Sequence, residues 1–290
     1  GWIGIDPPEA FPGFSRKLPH YGKYSYLAFE GSEPSNFVKG QWETTDSPLI
    51  VEFKPGGSSS IKPEARPALA ELPPVFSERN LRAHVEWLAA PEREGRGLGT
   101  AGLEASAKYI AEQFEAAGLA PGGDDGTWFQ RFTTERSASG EPVEAVNVIG
   151  ILPGSNIAWA NQSIVIGAHY DHLGRGWPEV HAGDEGTIHP GADDNASGVA
   201  VLLALARNMA SEGGGSRNLV FAAFSGEEAG RLGSQHFVAN PPFPNDQNRG
   251  MINLDAVGRL GNGELDVHAT GTADEWQHIF RGVGIVTGSR

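Results

Sequence analysis

Four short apolar runs constrain this chain most: Val146–Leu152, Ser163–Ala168, Leu219–Phe224 and Met251–Leu254. Each is a short apolar run of strand type. Helical patterns alternate with them. Ser77 can cap a helix that places Leu81, Val85 and Leu88 on one face. Thr100 can cap a second, whose stripe runs Leu103, Ala107, Ile110, Phe114 and Ala117 before Gly118 stops it. Ser197–Met209 is apolar on nearly every side, the mark of a buried helix. Strands alternating with helices predict an α/β fold of three layers, a mostly parallel mixed sheet with helices on both faces.

The alternation begins at residue 77. Residues 1–54 read instead as a small β-rich segment, with strands at Tyr24–Phe29 and Leu49–Phe53, consistent with the tail of an upstream module. Residues 55–76 hold Gly56-Gly57-Ser58-Ser59-Ser60 and then Pro63, Pro67, Pro73 and Pro74, the composition of a linker. Residues 77–290 form the main domain. The chain starts without methionine inside a patterned segment and stops just after a helix-like run, so it reads as a fragment.

Composition narrows the chemistry. The net charge of −14 argues against a nucleic-acid partner, which needs a basic face. No apolar run approaches the ~20 residues that span a bilayer. Cysteine is absent, so thiolate metal sites and disulfides are excluded, and any metal must be held by His, Asp and Glu.

Those residues gather at the strand ends. The second run is followed by His169-Tyr170-Asp171-His172, the third by Ser225-Gly226-Glu227-Glu228, and the fourth by Asp255. Gly191-Ala192-Asp193-Asp194-Asn195-Ala196-Ser197-Gly198 leads into the buried helix. Open α/β sheets collect ligands beyond the carboxyl ends of their strands. Each motif alone is ordinary capping or loop chemistry, but their convergence on one sheet edge predicts a metal site. Along a strand-like segment positions i and i+2 project to the same side, so Asp171 can stand behind the His169 imidazole, fix its tautomer and raise its basicity. Adjacent residues diverge, so one carboxylate of Glu227-Glu228 can bind metal while the other serves as a base. In Asp193-Asp194, likewise, one carboxylate can bridge two ions while the other stays structural.

These four motifs, in this order, resemble metallopeptidase family 28, which includes di-zinc aminopeptidases, glutamate carboxypeptidase II and glutaminyl cyclases. The similarity covers about residues 77–290, including Arg93 to Gly99. The resemblance implies a zinc-exopeptidase fold with two zinc ions: His169 and Asp255 bind one, Asp193 bridges, and Glu228 binds the other. It makes Glu227 the general base and later the proton donor to the leaving amine, with Asp171 supporting His169. It also implies a cis Asp193–Asp194 peptide that turns Asp193 towards His169, Glu228 and Asp255. His172, His181, His189 and His236 match no ligand position and read as loop or surface residues. The family's fifth ligand is a histidine further downstream. Only His268, in a strand-like Leu265–Ala269, and His278, in a helix-like run, follow Asp255, so the true chain is expected to continue past Arg290.

The implied activity is release of N-terminal residues from peptides by a metal-activated water, at a secreted, cell-envelope or periplasmic location. A carboxypeptidase or dipeptidase of the same fold is the nearest rival. A glutaminyl cyclase, with one zinc, and an inactive peptidase-like interaction module are further alternatives. The sequence carries no sign of oligomeric state.

Overall fold

The computed structural model describes residues 8–18, 24, 26–31, 35–40, 74–180, 183–259 and 266–287. The chain divides into two units, Gly1–Glu64 and Ala65–Arg290. Within the first, helix α1 (Phe11–Lys17) precedes an antiparallel pair, β1 (Tyr26–Glu30) and β2 (Ser35–Gly40). Sequence patterning did not indicate α1, whose start carries a proline, a residue preset for the first helical turn. The expected strand at Leu49–Phe53 and the expected linker up to residue 73 lie outside the described residues, as does His181.

The second unit opens with α2 (Glu78–Leu88) and α3 (Ala101–Ala116). Both expected caps form: Ser77 Oγ accepts from Asn80 N at 3.4 Å, and Thr100 Oγ1 from Leu103 N at 3.2 Å. The strands are β3 (Ala120–Pro121), β4 (Phe129–Thr134), β5 (Val143–Leu152), β6 (Ser163–His169), β7 (Asn218–Phe224) and β8 (Asn248–Asn253). Between them lie α4 (Gly198–Ser211) and α5 (Leu232–Ala239), and α6 (Asp274–Thr287) follows. His278 sits in α6 as its pattern indicates, but His268 falls in a segment without regular structure. Among the described residues no helix is long and apolar enough to cross a membrane.

The sheet runs β3-β5-β7-β6-β8, with β4 also paired to β5. It is mixed: β7, β6 and β8 are parallel, while β5 lies antiparallel to β7 and to β4. A parallel crossover needs about a dozen residues, commonly a helix. The link from β5 to β6 holds only a 3-10 turn at Ile157–Trp159, and β5 runs opposite to β6. The parallel part is therefore the part that carries the motifs.

Period-two alternation on β7 explains the layers. Leu219, Phe221 and Ala223 face a core shared with Leu88 of α2, with Leu103, Ile110 and Phe114 of α3, and with Val199, Leu202 and Ala206 of α4. Val220, Ala222 and Phe224 face the opposite core, with Ile149, Val165 and Phe237 of α5. Helices thus cover both faces, and β7 is buried along its whole length. Emptying such a position, as in Phe221→Ala, costs about 3–5 kcal/mol in comparable cores.

Candidate metal centre

Parallel pairing brings the carboxyl ends of β6, β7 and β8 to one edge. His169 ends β6 opposite Phe224, the last residue of β7, and Gly167 lies opposite Asn253, the last residue of β8. The turn after β7, with Glu227 and Glu228, is fastened from below. Asn147 of β5 accepts from Ser225 N at 3.1 Å and donates to Gly233 O at 2.8 Å. Gly233 is required there, since a Cβ would lie 2.2 Å from Asn147 Oδ1 and 2.3 Å from Ser225 O.

Two groups of possible ligands result among the described residues. One is His169, Asp194 and Asp255, and the other is His172, Asp194 and Glu228. His169 Nε2 lies 3.1 Å from Asp194 Oδ1 and 3.5 Å from Asp255 Oδ1. Ligands on a tetrahedral zinc, with bonds of about 2.0–2.2 Å, sit about 3.4 Å apart, so this trio has the right spacing. Asp194 Oδ1 is buried and, although His169 Nε2 stands 3.1 Å away, accepts no well-aligned hydrogen bond. A buried carboxylate oxygen left in that condition is costly unless a cation meets it. The residues therefore fit zinc.

Here the structure corrects the expectation for Asp193. The shared carboxylate is that of Asp194, and the non-proline cis peptide is Asp194–Asn195 rather than Asp193–Asp194. The anchors of the loop account for the side-chain placement. Buried Asn195 donates to Leu254 O at 2.9 Å and accepts from Gly198 N at 3.0 Å. Ser197 Oγ donates to Asp193 O at 2.6 Å and accepts from Val257 N at 3.0 Å. With these fixed, the Asp193 carboxylate turns to Gly258 N, at 2.8 Å, and stands 3.7 Å from Arg259 Nε.

Asp171 is corrected in a different way. Its carboxylate is 3.8 Å from His169 Nδ1, beyond hydrogen-bond reach, and that nitrogen faces the Asp171 backbone carbonyl at 3.2 Å. The buried carboxylate accepts instead from Glu227 N at 3.1 Å and Glu228 N at 3.3 Å. Asp171 thus fixes the backbone of the two glutamates. His172 lies in a loop, as expected, but not at the surface, because its ring is 12% exposed and meets Glu228. His189 and His236 belong to neither ligand group.

The titratable groups at this edge act strongly on one another. Burial disfavours the His169 imidazolium, yet Asp171, Asp194 and Asp255 outweigh burial and push its pKa up to about 12. His169 in turn holds the Asp194 carboxyl below the usual range. Burial lifts Glu227 above the ordinary glutamate range, against the pull of His169 and with help from Asp171, Glu228 and Asp255.

Arg96 is a second residue that motif reasoning did not single out. Fully buried, it donates to the carbonyls of Tyr170, Leu88, Pro190 and Gly191 at 2.7–2.8 Å, joining α2, the end of β6 and the Asp193 loop. Burial lowers its pKa to about 10, while Asp171, Asp194 and Glu228 favour its charge. Arg96→Met should cost about 3–5 kcal/mol of stability, because it strands four carbonyls beside an unbalanced acidic cluster. Urea unfolding checks this, and a loss under ~1 kcal/mol would show that the guanidinium is dispensable.

The arrangement fits a metal centre on an α/β sheet: one histidine-carboxylate trio, an aspartate shared with a second group, and a glutamate outside both groups beside one that belongs to the second. Comparison agrees. Residues 147–288 match the sequence model of Peptidase family M28. The leupeptin-inactivating enzyme 1 of Streptomyces exfoliatus is 28% identical over 76% of this chain and 45% of its own length. A probable zinc metalloprotease of Pyrenophora tritici-repentis is 34% identical over 60% of this chain and 38% of its own. The chain spans less than half the length of these relatives. Two Bacteroides thetaiotaomicron structures share the fold at 22% identity. One is a leucine aminopeptidase precursor (TM-score 0.56, covering 73% of this chain and 75% of that one). The other is a glutaminyl cyclase (TM-score 0.57, 73% and 74%).

Proposed function

We propose that the chain is the catalytic part of a zinc exopeptidase of aminopeptidase type that holds two ions. His169, Asp194 and Asp255 would hold one ion, and Asp194 with Glu228 the other. The observation that carries this reading is the division of labour at Glu227-Glu228. Glu228 lies in a ligand group, whereas its neighbour Glu227 belongs to neither group, half-buried and with a raised proton affinity. Bound zinc would supply activation of a water and polarisation of the scissile carbonyl.

The chain's own residues do the rest. Glu227 takes a proton from the attacking water and returns it to the leaving amine, a role suited to a carboxylate whose pKa is lifted by burial. Asp171 keeps Glu227 aimed by holding its amide. A cavity of about 490 Å³, lined by Leu173, Val180, His189, Glu227, Glu228 and Arg231, opens beside that carboxylate and offers room for a side chain of the substrate.

Elemental analysis of the full chain should find close to two zinc ions. The loaded protein should cleave amino-acyl anilides and leave N-acetylated peptides intact. A zinc-free protein with full activity would end the reading. Conversion of N-terminal glutamine without peptide cleavage would favour a glutaminyl cyclase, and cleavage of blocked peptides from the carboxyl end a carboxypeptidase.

A further inference from the structure

We infer that His172 is a positioning residue, holding the Glu228 carboxylate in place beside Asp194 without itself binding metal. The inference rests on the two-ion reading above.

Distance decides against His172 as a ligand. Its Nδ1 is 2.7 Å from Glu228 Oε1 and 3.9 Å from Asp194 Oδ2. Two donors on one tetrahedral zinc sit about 3.4 Å apart, so the first separation is too short and the second too long. The His169 distances, 3.1 and 3.5 Å, bracket that value. A separation of 2.7 Å is instead that of a charge-assisted hydrogen bond. A carboxylate can only accept, so Nδ1 carries the proton and donates it to Oε1.

The ring is built in rather than resting on the surface. Gly191 has φ +59°, and a Cβ there would lie 2.6 Å from both Cγ and Cδ2 of His172, so the imidazole packs directly on the glycine backbone. The His172 amide donates to Arg96 O at 3.2 Å. Glu228 is thereby held at both ends, its amide by Asp171 at 3.3 Å and its carboxylate by His172. A glutamate has three side-chain torsions to fix before it can present an oxygen to a metal. Without the imidazole, that ordering cost falls on zinc binding.

The test uses the full chain, its His172→Ala and His172→Asn variants, chelator competition for zinc, and absorption spectra of the cobalt-substituted proteins. The asparagine side-chain amide can take the place of Nδ1 and donate to Glu228, but it is a poor nitrogen ligand. His172→Ala should weaken the second zinc about 10–100-fold and leave the first unchanged, the range seen when an outer partner of a ligand is lost. Its cobalt spectrum at saturation should match the wild type, because no ligand has gone. His172→Asn should recover most of the affinity. Wild-type affinity for both ions in His172→Ala would overturn this inference alone. So would a changed cobalt spectrum in both variants, which would make His172 a ligand. Fewer than two zinc ions in the wild-type chain would overturn the two-ion reading together with it.

Discussion

Glu227→Gln should leave zinc content unchanged and lower kcat on an amino-acyl anilide by about 10²–10⁴-fold, the usual contribution of a positioned general base. Glutamine keeps the shape, and the backbone amide at 227 keeps its bond to Asp171. Only the proton-accepting oxygen is lost. The residue lies in neither ligand group, so metal affinity and folding have no reason to follow kcat. KM should move little, since the substitution removes an interaction made in the transition state. The comparison variant is Glu228→Gln, which should release zinc first and activity with it. Near-normal turnover in Glu227→Gln would remove the base from the mechanism and leave Glu227 a half-buried rim residue.

How far the sequence could be read follows from which features are local. β6 and β7 were legible because burial on both faces gives continuous apolar runs, β8 showed only the short run Met251–Leu254 although it is largely exposed, and their shared edge followed from parallel pairing. The direction of β5 was not, because it depends on a connection lacking a crossover helix. His169, Glu228 and Asp255 were legible because each closes a strand or sits just beyond one. Asp171 was placed on the wrong partner for the same reason in reverse. Strand alternation ends at His169, and past it the chain is a loop whose carboxylate turns to the Glu227 and Glu228 amides. Arg96 and His172 are set by contacts with residues far away in sequence. A buried arginine on four carbonyls, or an imidazole seated on Gly191, leaves no periodic trace.

The pair Asp193-Asp194 is the sharpest case, since two adjacent carboxylates point apart and sequence cannot say which points inwards. The structure chooses Asp194, and the choice can be tested by symmetric substitutions. Asp194→Asn should drop zinc from about two ions per chain to less than one and abolish activity. The carboxylate it removes belongs to both ligand groups, and its buried Oδ1 accepts no well-aligned hydrogen bond. Asp193→Asn should keep both ions. Its Oδ1 accepts from Gly258 N at 2.8 Å, and an amide oxygen can do the same. The charge lost faces Arg259 only at 3.7 Å, and that side chain is 85% exposed, so the pair contributes little. Stability should therefore change by no more than about 0.5–1 kcal/mol. If Asp193→Asn lost both ions while Asp194→Asn kept them, the loop would have to turn over when metal binds. The anchors at Asn195 and Ser197 oppose that, because turning Asp193 inwards would break the bonds to Leu254 O, Gly198 N and Val257 N together.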